Sequence, residues 1–447
     1  MTQCIGQLTF ANLHGKQVVG AFDGGEISSD GGLVLIAQAD RRLELTRKLA
    51  ACVRDERQQS KVRHTVAELL AQRVYQIAAG YEDCNDADDM RRDPVLKTAI
   101  GRLPQTDPDC ASQPTLSRFE NAISARELRQ MADVLVDVFF AQYAGATPER
   151  ILLDFDATDD PTHGQQQFAE FHGYYDTHCY LPLIVTAQVD GGPHELLAAM
   201  LRPGRVHASA HALAVLKRLV ARLRKEWPDA QIIFRADSGF AKPEIYDWCE
   251  DHRVGYLVSI AKNSTLLALA EPHMEASRTE YRLTRRKARQ ITDELYCAGS
   301  WRSYRRVIVK AEVMAQGDNP RFVVTNLTRP DAAALYQLYA ARGDMENRIG
   351  ELKNGLQMDR TSCHRFLANQ FRVLLHAAAF VLFGALRKAL RGTRLATAQV
   401  GTLQRQLIKL GVRVKQTARR VWLHFASSCP VQDLWPRVFE RLCGSPA

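Results

Sequence analysis

The chain has 447 residues, 46% of them hydrophobic, which is enough for a large core and for roughly two to four domains. It holds no run of about 18 apolar residues and its start lacks a charged-then-apolar leader pattern, so neither a membrane span nor a secreted protein is expected. Ten cysteines without a CxxC pair exclude a disulfide frame and read as reduced thiols. The net charge of +9 is uneven, with fifteen Lys/Arg against two acidic residues from Arg360 onward, a balance that fits a nucleic-acid partner.

Residues 1–147 are predicted to be mostly helical after a short extended start, with helical periodicity over 64–81 and 124–145. Between these, Ser112 or Thr115 is placed to cap a short helix presenting Arg118 and Asn121, as in the turn of a helical DNA-binding unit. From 148 the texture changes. Strands are predicted at 150–158, 179–189 and 195–204, then a helix at 208–227, a strand at 231–240, a helix near 242–252 and a strand at 255–263. Residues 265–320 interrupt with charge-rich sequence. Basic residues there interleave with Trp301 and Tyr304, a composition suited to phosphate contact and base stacking. A strand at 321–327 and a helix follow, and 361–447 is predicted helical and basic. Apolar runs such as 373–386 make that last region a candidate dimer and DNA surface.

The candidate chemistry sits at strand ends. Asp154 and Asp156 share one face of the first strand, after an apolar Ile-Leu-Leu run, and Thr158 continues that face. Asp237 follows the apolar Ile-Ile-Phe of the fourth strand, with Gly239 permitting the turn. Either aspartate alone also fits an ordinary turn or helix cap. In the late helix, Tyr339, Arg342, Glu346 and Lys353 fall within about 60° of arc at ~100° per residue, along one border of the apolar stripe. The plain alternative is a solvated flank with i,i+4 ion pairs. Lys262, at a strand end, is a reasonable phosphate contact. His163, His172 and His178 are close in sequence, but no Cys or Glu stands at zinc-ligand spacing beside them.

The four late residues match Tyr-x2-Arg-x3-Glu-x6-Lys, a motif that resembles that of a large group of DDE transposases of bacterial insertion sequences. The first-strand sequence DFDATDD resembles that group's first-Asp strand through Asp156-x-Thr158, and RADSGF resembles its second-Asp strand through Asp237. The pieces occur in family order over about 150–358. The resemblance implies an α/β fold: a ribonuclease-H-like mixed-sheet catalytic core over 148–264 and 321–360, with a β-rich basic insertion at 265–320. Helical N-terminal (1–147) and C-terminal (361–447) regions flank it.

It further implies Asp156, Asp237 and Glu346 as ligands of two Mg²⁺ or Mn²⁺ ions, with Asp154 and Thr158 behind them. Tyr339, Arg342 and Lys353 would grip DNA phosphates, and Lys262, Trp301, Arg302, Arg305 and Arg306 are further DNA-contact candidates, Trp301 for stacking on a displaced base. The implied activity is cut-and-paste transposition: binding of double-stranded DNA at terminal inverted repeats, end cleavage, often through a hairpin, and strand transfer to target DNA. A homodimer bridging two ends, without membrane, in the cytoplasm at the nucleoid, is expected. The alternatives are a nuclease of the same fold that never joins strands, and a transposase-derived DNA-binding regulator.

Overall fold

A computed structural model describes residues 7–444 and divides into two compact units, one of residues 124–354 and 358–377, the other of residues 1–123, 355–357 and 378–447. In the first unit, helix α1 (Ala125–Ala141) opens with a capping box between Ser124 and Glu127. Five strands then build the heart of the sheet: β1 (Arg150–Ala157), β2 (Leu183–Val189), β3 (Glu195–Met200), β4 (Gln231–Ala236) and β5 (Gly255–Ile260). The spatial order β3-β2-β1-β4-β5 has β1, β2 and β3 antiparallel in sequence and β4 and β5 parallel to β1. Helix α2 (Ala212–Glu226) links β3 to β4, and α3 (Pro243–Asp251) links β4 to β5. This is the ribonuclease-H-like core that was expected.

The period-two alternation of a strand assigns the faces. Ile151, Leu153 and Phe155 of β1 join the larger apolar core with residues of α2, α3 and α1. Leu152 joins a smaller core on the other face, with Leu335, and it is to this second face that Asp154 and Asp156 belong. The carboxylates are thus carried on a rigid central strand, hydrogen-bonded on both sides.

The segment expected as a separate insertion extends the same sheet instead. Helix α4 (Ser264–Thr284), capped by the Asn263 side chain, leads into β6 (Ala288–Tyr296) and β7 (Arg305–Met314). β8 (Arg321–Thr325) pairs with both β7 and β5, so the sheet continues β5-β8-β7-β6. The charge-rich sequence hid this because charged residues interrupt both strands: Val307, Val309, Ala311 and Val313 of β7 face the larger core, while Ile308 of the other face joins the smaller one beside a buried Lys310–Glu312 ion pair.

The late helix is not one helix. α5 (Ala332–Ala340) ends before Arg342, α6 (Gly343–Gly350) starts after it, and Glu351–Gly355 form a π turn. Gly343, poor as a helix former, sits at the joint. Helix α7 (Phe366–Ala389) is long and apolar enough to cross a membrane by length and composition, although 78% of its most apolar window is buried within the protein.

The other unit carries helices at Leu33–Leu43, Leu45–Ala51, Val66–Ala78, Pro94–Ala99 and Gln113–Ala122, with a buried Arg73–Glu120 ion pair at 2.8 Å. Ser112 is the N-cap of the last of these, but its hydroxyl meets the Thr115 hydroxyl at 3.2 Å rather than a backbone N–H. Arg118 is exposed, and the Asn121 amide donates to the Ser117 carbonyl. The C-terminal region, expected to be helical, includes an antiparallel pair, Val412–Gln416 with Val421–Phe425, in which Val412 and Val414 are buried. Its alternating Val-x-Val was overshadowed by the surrounding basic residues.

Candidate active site

Asp156 and Asp237 come from the C-terminal ends of adjacent parallel strands, the usual position of sites in open α/β sheets. The last paired position of the two strands is Phe155 with Ala236, so each aspartate is the next residue along its strand. Asp156 Oδ1 accepts from the Ala157 N–H at 2.9 Å. Asp237 Oδ1 accepts from the Gly239 N–H at 2.9 Å, closing a tight turn. A Cβ on residue 239 would lie 3.0 Å from that same oxygen and 2.9 Å from Ala208 Cβ, which is why glycine stands there.

Arg342 completes the cluster. Its Nη2 is 2.7 Å from Asp156 Oδ2 and its Nη1 is 3.2 Å from Glu346 Oε1, so one guanidinium spans the first and third acids. Burial first, with the nearby Asp237 and Glu346 charges and against the pull of Arg342, pushes the Asp156 carboxyl up to about 7. The Arg342 guanidinium is raised despite burial, because Asp156 and Asp237 both favour its charge. The side chain of Glu346 is 68% exposed, at the mouth of this arrangement.

The other two members of the late motif arrive from separate segments. Tyr339, near the end of α5, is raised by burial while a hydrogen bond with Ser259 of β5 opposes the shift. Lys353, in the π turn, places Nζ 2.9 Å from Asp159 Oδ1 and 3.0 Å from the Asp159 carbonyl. The broken helix therefore brings a phenol to the end of β5 and two cations to the end of β1 and the residues just after it. Lys262 is exposed two residues beyond β5, at the same end of the sheet. Thr158 is buried and its N–H donates to the Pro182 carbonyl.

Asp154 has a different task from Asp156. It is fully buried and its two oxygens take a fork from Arg235, at 2.5 Å from Nε and 2.8 Å from Nη2. His194 lies 3.5 Å away. Both Asp154 oxygens are thus engaged by Arg235, away from the end of the strand where Asp156 stands.

The insertion residues are also committed elsewhere. Trp301 packs edge-on against Tyr246 and Tyr296, and the Arg305 guanidinium lies 5.1 Å above its ring. Arg305 is 4% exposed and pairs with Glu250 and Asp247 of α3. Arg302 pairs with Asp247, Glu250 and Asp251, and Arg306 with Asp293. The Trp301 ring, expected to stack on a base, anchors the strand extension to α3 through Tyr246. Arg302, Arg305 and Arg306 neutralise acids within the unit and do not join the carboxylates.

Sequence reasoning missed Asp159, Tyr175, Lys242 and His207. Tyr175 is pushed up to about 12 by burial and by the Asp159, Asp156 and Asp237 charges, and the His207 imidazole is lowered by burial and then by the Lys242 and Arg202 charges. The only signal was the aromatic density of the stretch from Phe168 to Tyr180.

Three carboxylates, Asp156 buried, Asp237 partly buried and Glu346 exposed at the mouth, are hard oxygen donors that fit a divalent cation in kind. Among the described residues, no three His, Cys, Asp or Glu side chains already stand close enough to share an ion, because Arg342 lies between two of the acids.

A search of curated proteins gives no significant match. Among solved structures, a cryo-EM structure of a piggyBac transposase synaptic complex with hairpin DNA aligns with 85% of this chain and 79% of its own, at 12% identity and a TM-score of 0.43. The family model described as transposase DDE domain group 1 matches residues 10–447, and the chain belongs to that family.

Proposed function

We propose that this transposase cleaves DNA at the terminal inverted repeats of its element and joins the freed 3′ ends to target DNA, in cut-and-paste fashion. The observation that carries the reading is the convergence of Asp156, Asp237 and Glu346 at one end of the central sheet, with Arg342 bridging the first and third. Asp156, Asp237 and Glu346 would hold two Mg²⁺ or Mn²⁺ ions, which supply activation of a water or 3′-hydroxyl and stabilisation of the leaving oxygen. Arg342, freed from the acids, then turns to a DNA phosphate, where its planar fork suits two oxygens. Lys353, Lys262 and Tyr339 hold neighbouring phosphates in register. The helical N-terminal region and the basic C-terminal region, 361–447, add sequence-independent DNA affinity, and a homodimer brings two ends together.

The test uses a duplex carrying the inverted repeats that flank the source gene, with Mg²⁺ or Mn²⁺, resolved on denaturing gels. Wild type should cut at the repeat boundary and join the product to a second duplex. Glu346→Gln and Asp237→Asn should each reduce cutting roughly a thousandfold or more while still binding DNA. Cutting without joining would identify a nuclease. Specific binding without cutting by wild type would identify a DNA-binding regulator.

A further inference from the structure

The stretch from Asp160 to Tyr180 forms its own small three-stranded sheet. Asp160 and Pro161 pair with Tyr180 and Cys179, and Glu170–His172 pair with Thr177–Cys179. Its base is pinned. The Thr361 hydroxyl donates to the Asp160 carboxylate at 2.9 Å, the Tyr180 hydroxyl donates to the Gln167 carbonyl at 2.7 Å, and the Gln167 N–H donates to the His364 carbonyl at 3.0 Å. The loop after β3 is pressed against it so closely that a Cβ on Gly204 would stand 2.2 Å from the Cys179 carbonyl oxygen. Buried Arg202 fixes that loop by donating to the Leu181, Ala208 and Ala210 carbonyls, each at 2.7 Å.

The tip is the opposite. Tyr174 is 84% exposed and Phe171 is 45% exposed. Tyr175 braces Tyr174 edge-on at 4.9 Å between ring centroids, and His172 packs on Tyr175 at 5.1 Å. A rigid base with an exposed, internally braced aromatic tip offers a ring face at little ordering cost. The hairpin starts four residues after Asp156, its first strand following directly on Asp159, the partner of Lys353, and Tyr175 lies within the field of Asp159, Asp156 and Asp237. On the same side, Ala208 abuts the Gly239 turn that follows Asp237, which brings His207, its neighbour in sequence, to that turn, and Lys242 closes the same turn with its N–H on the Phe240 carbonyl. Aromatic faces beside cationic groups are the ordinary means of holding single-stranded nucleic acid without sequence preference. Trp301, the other aromatic near basic residues, is enclosed by Tyr246, Tyr296 and Arg305.

We propose that the hairpin tip is a nucleobase-stacking site for the DNA strand whose phosphate reaches the carboxylates. Tyr174 takes the face of an unpaired base, Tyr175 and His172 hold that ring in place, and Lys242 and His207 contact the adjoining phosphate. The proposal rests on the reading of the carboxylate cluster as a DNA site.

The experiment measures binding in EDTA, where no cleavage occurs, by fluorescence anisotropy. One probe is the blunt inverted-repeat duplex. The other is the same duplex with a frayed end carrying 2-aminopurine at the first unpaired position. Wild type should bind both and quench the 2-aminopurine. Tyr174→Ala should bind the frayed duplex roughly tenfold more weakly with the quench lost, while binding the blunt duplex as before. Tyr174→Phe should restore both, since it keeps the ring. Equal binding and equal quench by Tyr174→Ala would overturn the stacking site while leaving the DNA reading intact. So would loss of the quench in Tyr304→Ala, a second exposed tyrosine, but not in Tyr174→Ala. No binding of either duplex by wild type would overturn the DNA reading, and this proposal with it.

Discussion

Asp154 and Arg235 form a two-bond fork between adjacent parallel strands, both side chains fully buried, and Arg235 uses its remaining Nη1 to donate to the Leu338 carbonyl. That carbonyl lies near the end of α5, one residue before Tyr339 and shortly before Arg342 and Glu346. The ion pair therefore ties the third-acid segment to the strand that carries Asp156. Below the same segment the Thr186 hydroxyl donates to Met345 Sδ at 3.1 Å and meets His194 Nδ1 at 2.9 Å.

From this follows a contrast between two aspartates two residues apart. Asp154→Asn leaves a buried guanidinium without its counter-charge and should cost about 3–5 kcal/mol of stability. Catalysis should fall with it, because Glu346 loses its support. Asp156→Asn should abolish cleavage without such a loss. Urea unfolding of the two variants checks this, and equal destabilisation of both would refute a positioning role for Asp154.

If Asp156 and Glu346 hold divalent cations as proposed, Arg342, which bridges them, competes for the same oxygens. Arg342→Ala should bind Mg²⁺ roughly three- to tenfold more tightly in the absence of DNA, by calorimetry, since a positive charge is removed from between two ligands. Cleavage should nevertheless fall by roughly a hundredfold, because the same guanidinium is needed at a phosphate. Arg342→Lys should show intermediate cleavage, as an ammonium cannot form the fork. Weaker Mg²⁺ binding by Arg342→Ala would show that the guanidinium organises the acids instead.

The Asp156 carboxyl is raised from 3.8 to about 7, chiefly by burial and then by its acidic neighbours. The folded protein thus holds this proton more tightly than the unfolded chain does. Its cost to stability is absent below about pH 4, grows as pH rises, and is complete above about pH 7, where it reaches at most about 4 kcal/mol. In EDTA, the melting temperature of Asp156→Asn should exceed that of wild type by a margin that widens between about pH 4 and 7, the window set by that shift. Mg²⁺ added above pH 7 should narrow the margin. A margin independent of pH would mean that Asp156 is ionised throughout.

The strand-end aspartates were legible because an apolar run followed by a carboxylate is a local pattern, and Asp156 and Asp237 each carry it. Glu346 was legible through spacing alone, and the spacing survived even though the helix did not. The break at Gly343 and the π turn at Glu351–Gly355 follow from contacts with Asp156, Ser259 and Asp159, which lie far away in sequence. The role of Trp301 was hidden for the same reason. Its partner Arg305 is fixed by Glu250 and Asp247, more than fifty residues earlier, so local basic and aromatic composition read as a DNA surface. The small hairpin sheet was invisible because its strands are only two to four residues long, too short for any periodicity.

Arg305 and Arg302 give the last prediction, since they sit in one basic run with opposite exposure. Arg305 is 4% exposed, forks onto Glu250 with Nε at 2.7 Å, and covers both Trp301 and Tyr246. Removing it leaves Glu250 and Asp247 with the half-exposed Arg302, and Glu250 with the Tyr256 hydroxyl, beside an uncovered tryptophan, so Arg305→Ala should cost about 2–3 kcal/mol. The Arg302 side chain is 46% exposed and its ion pairs are solvated, so Arg302→Ala should cost no more than about 1 kcal/mol. Neither substitution should change the slope of DNA affinity against salt, because these charges are neutralised within the protein and release no counterions from DNA. By contrast, Lys262→Ala should reduce that slope by about one, as exposed phosphate contacts do. Parallel salt titrations of the three variants decide between the two roles. A reduced slope in Arg305→Ala or Arg302→Ala would return the insertion strands to the DNA surface.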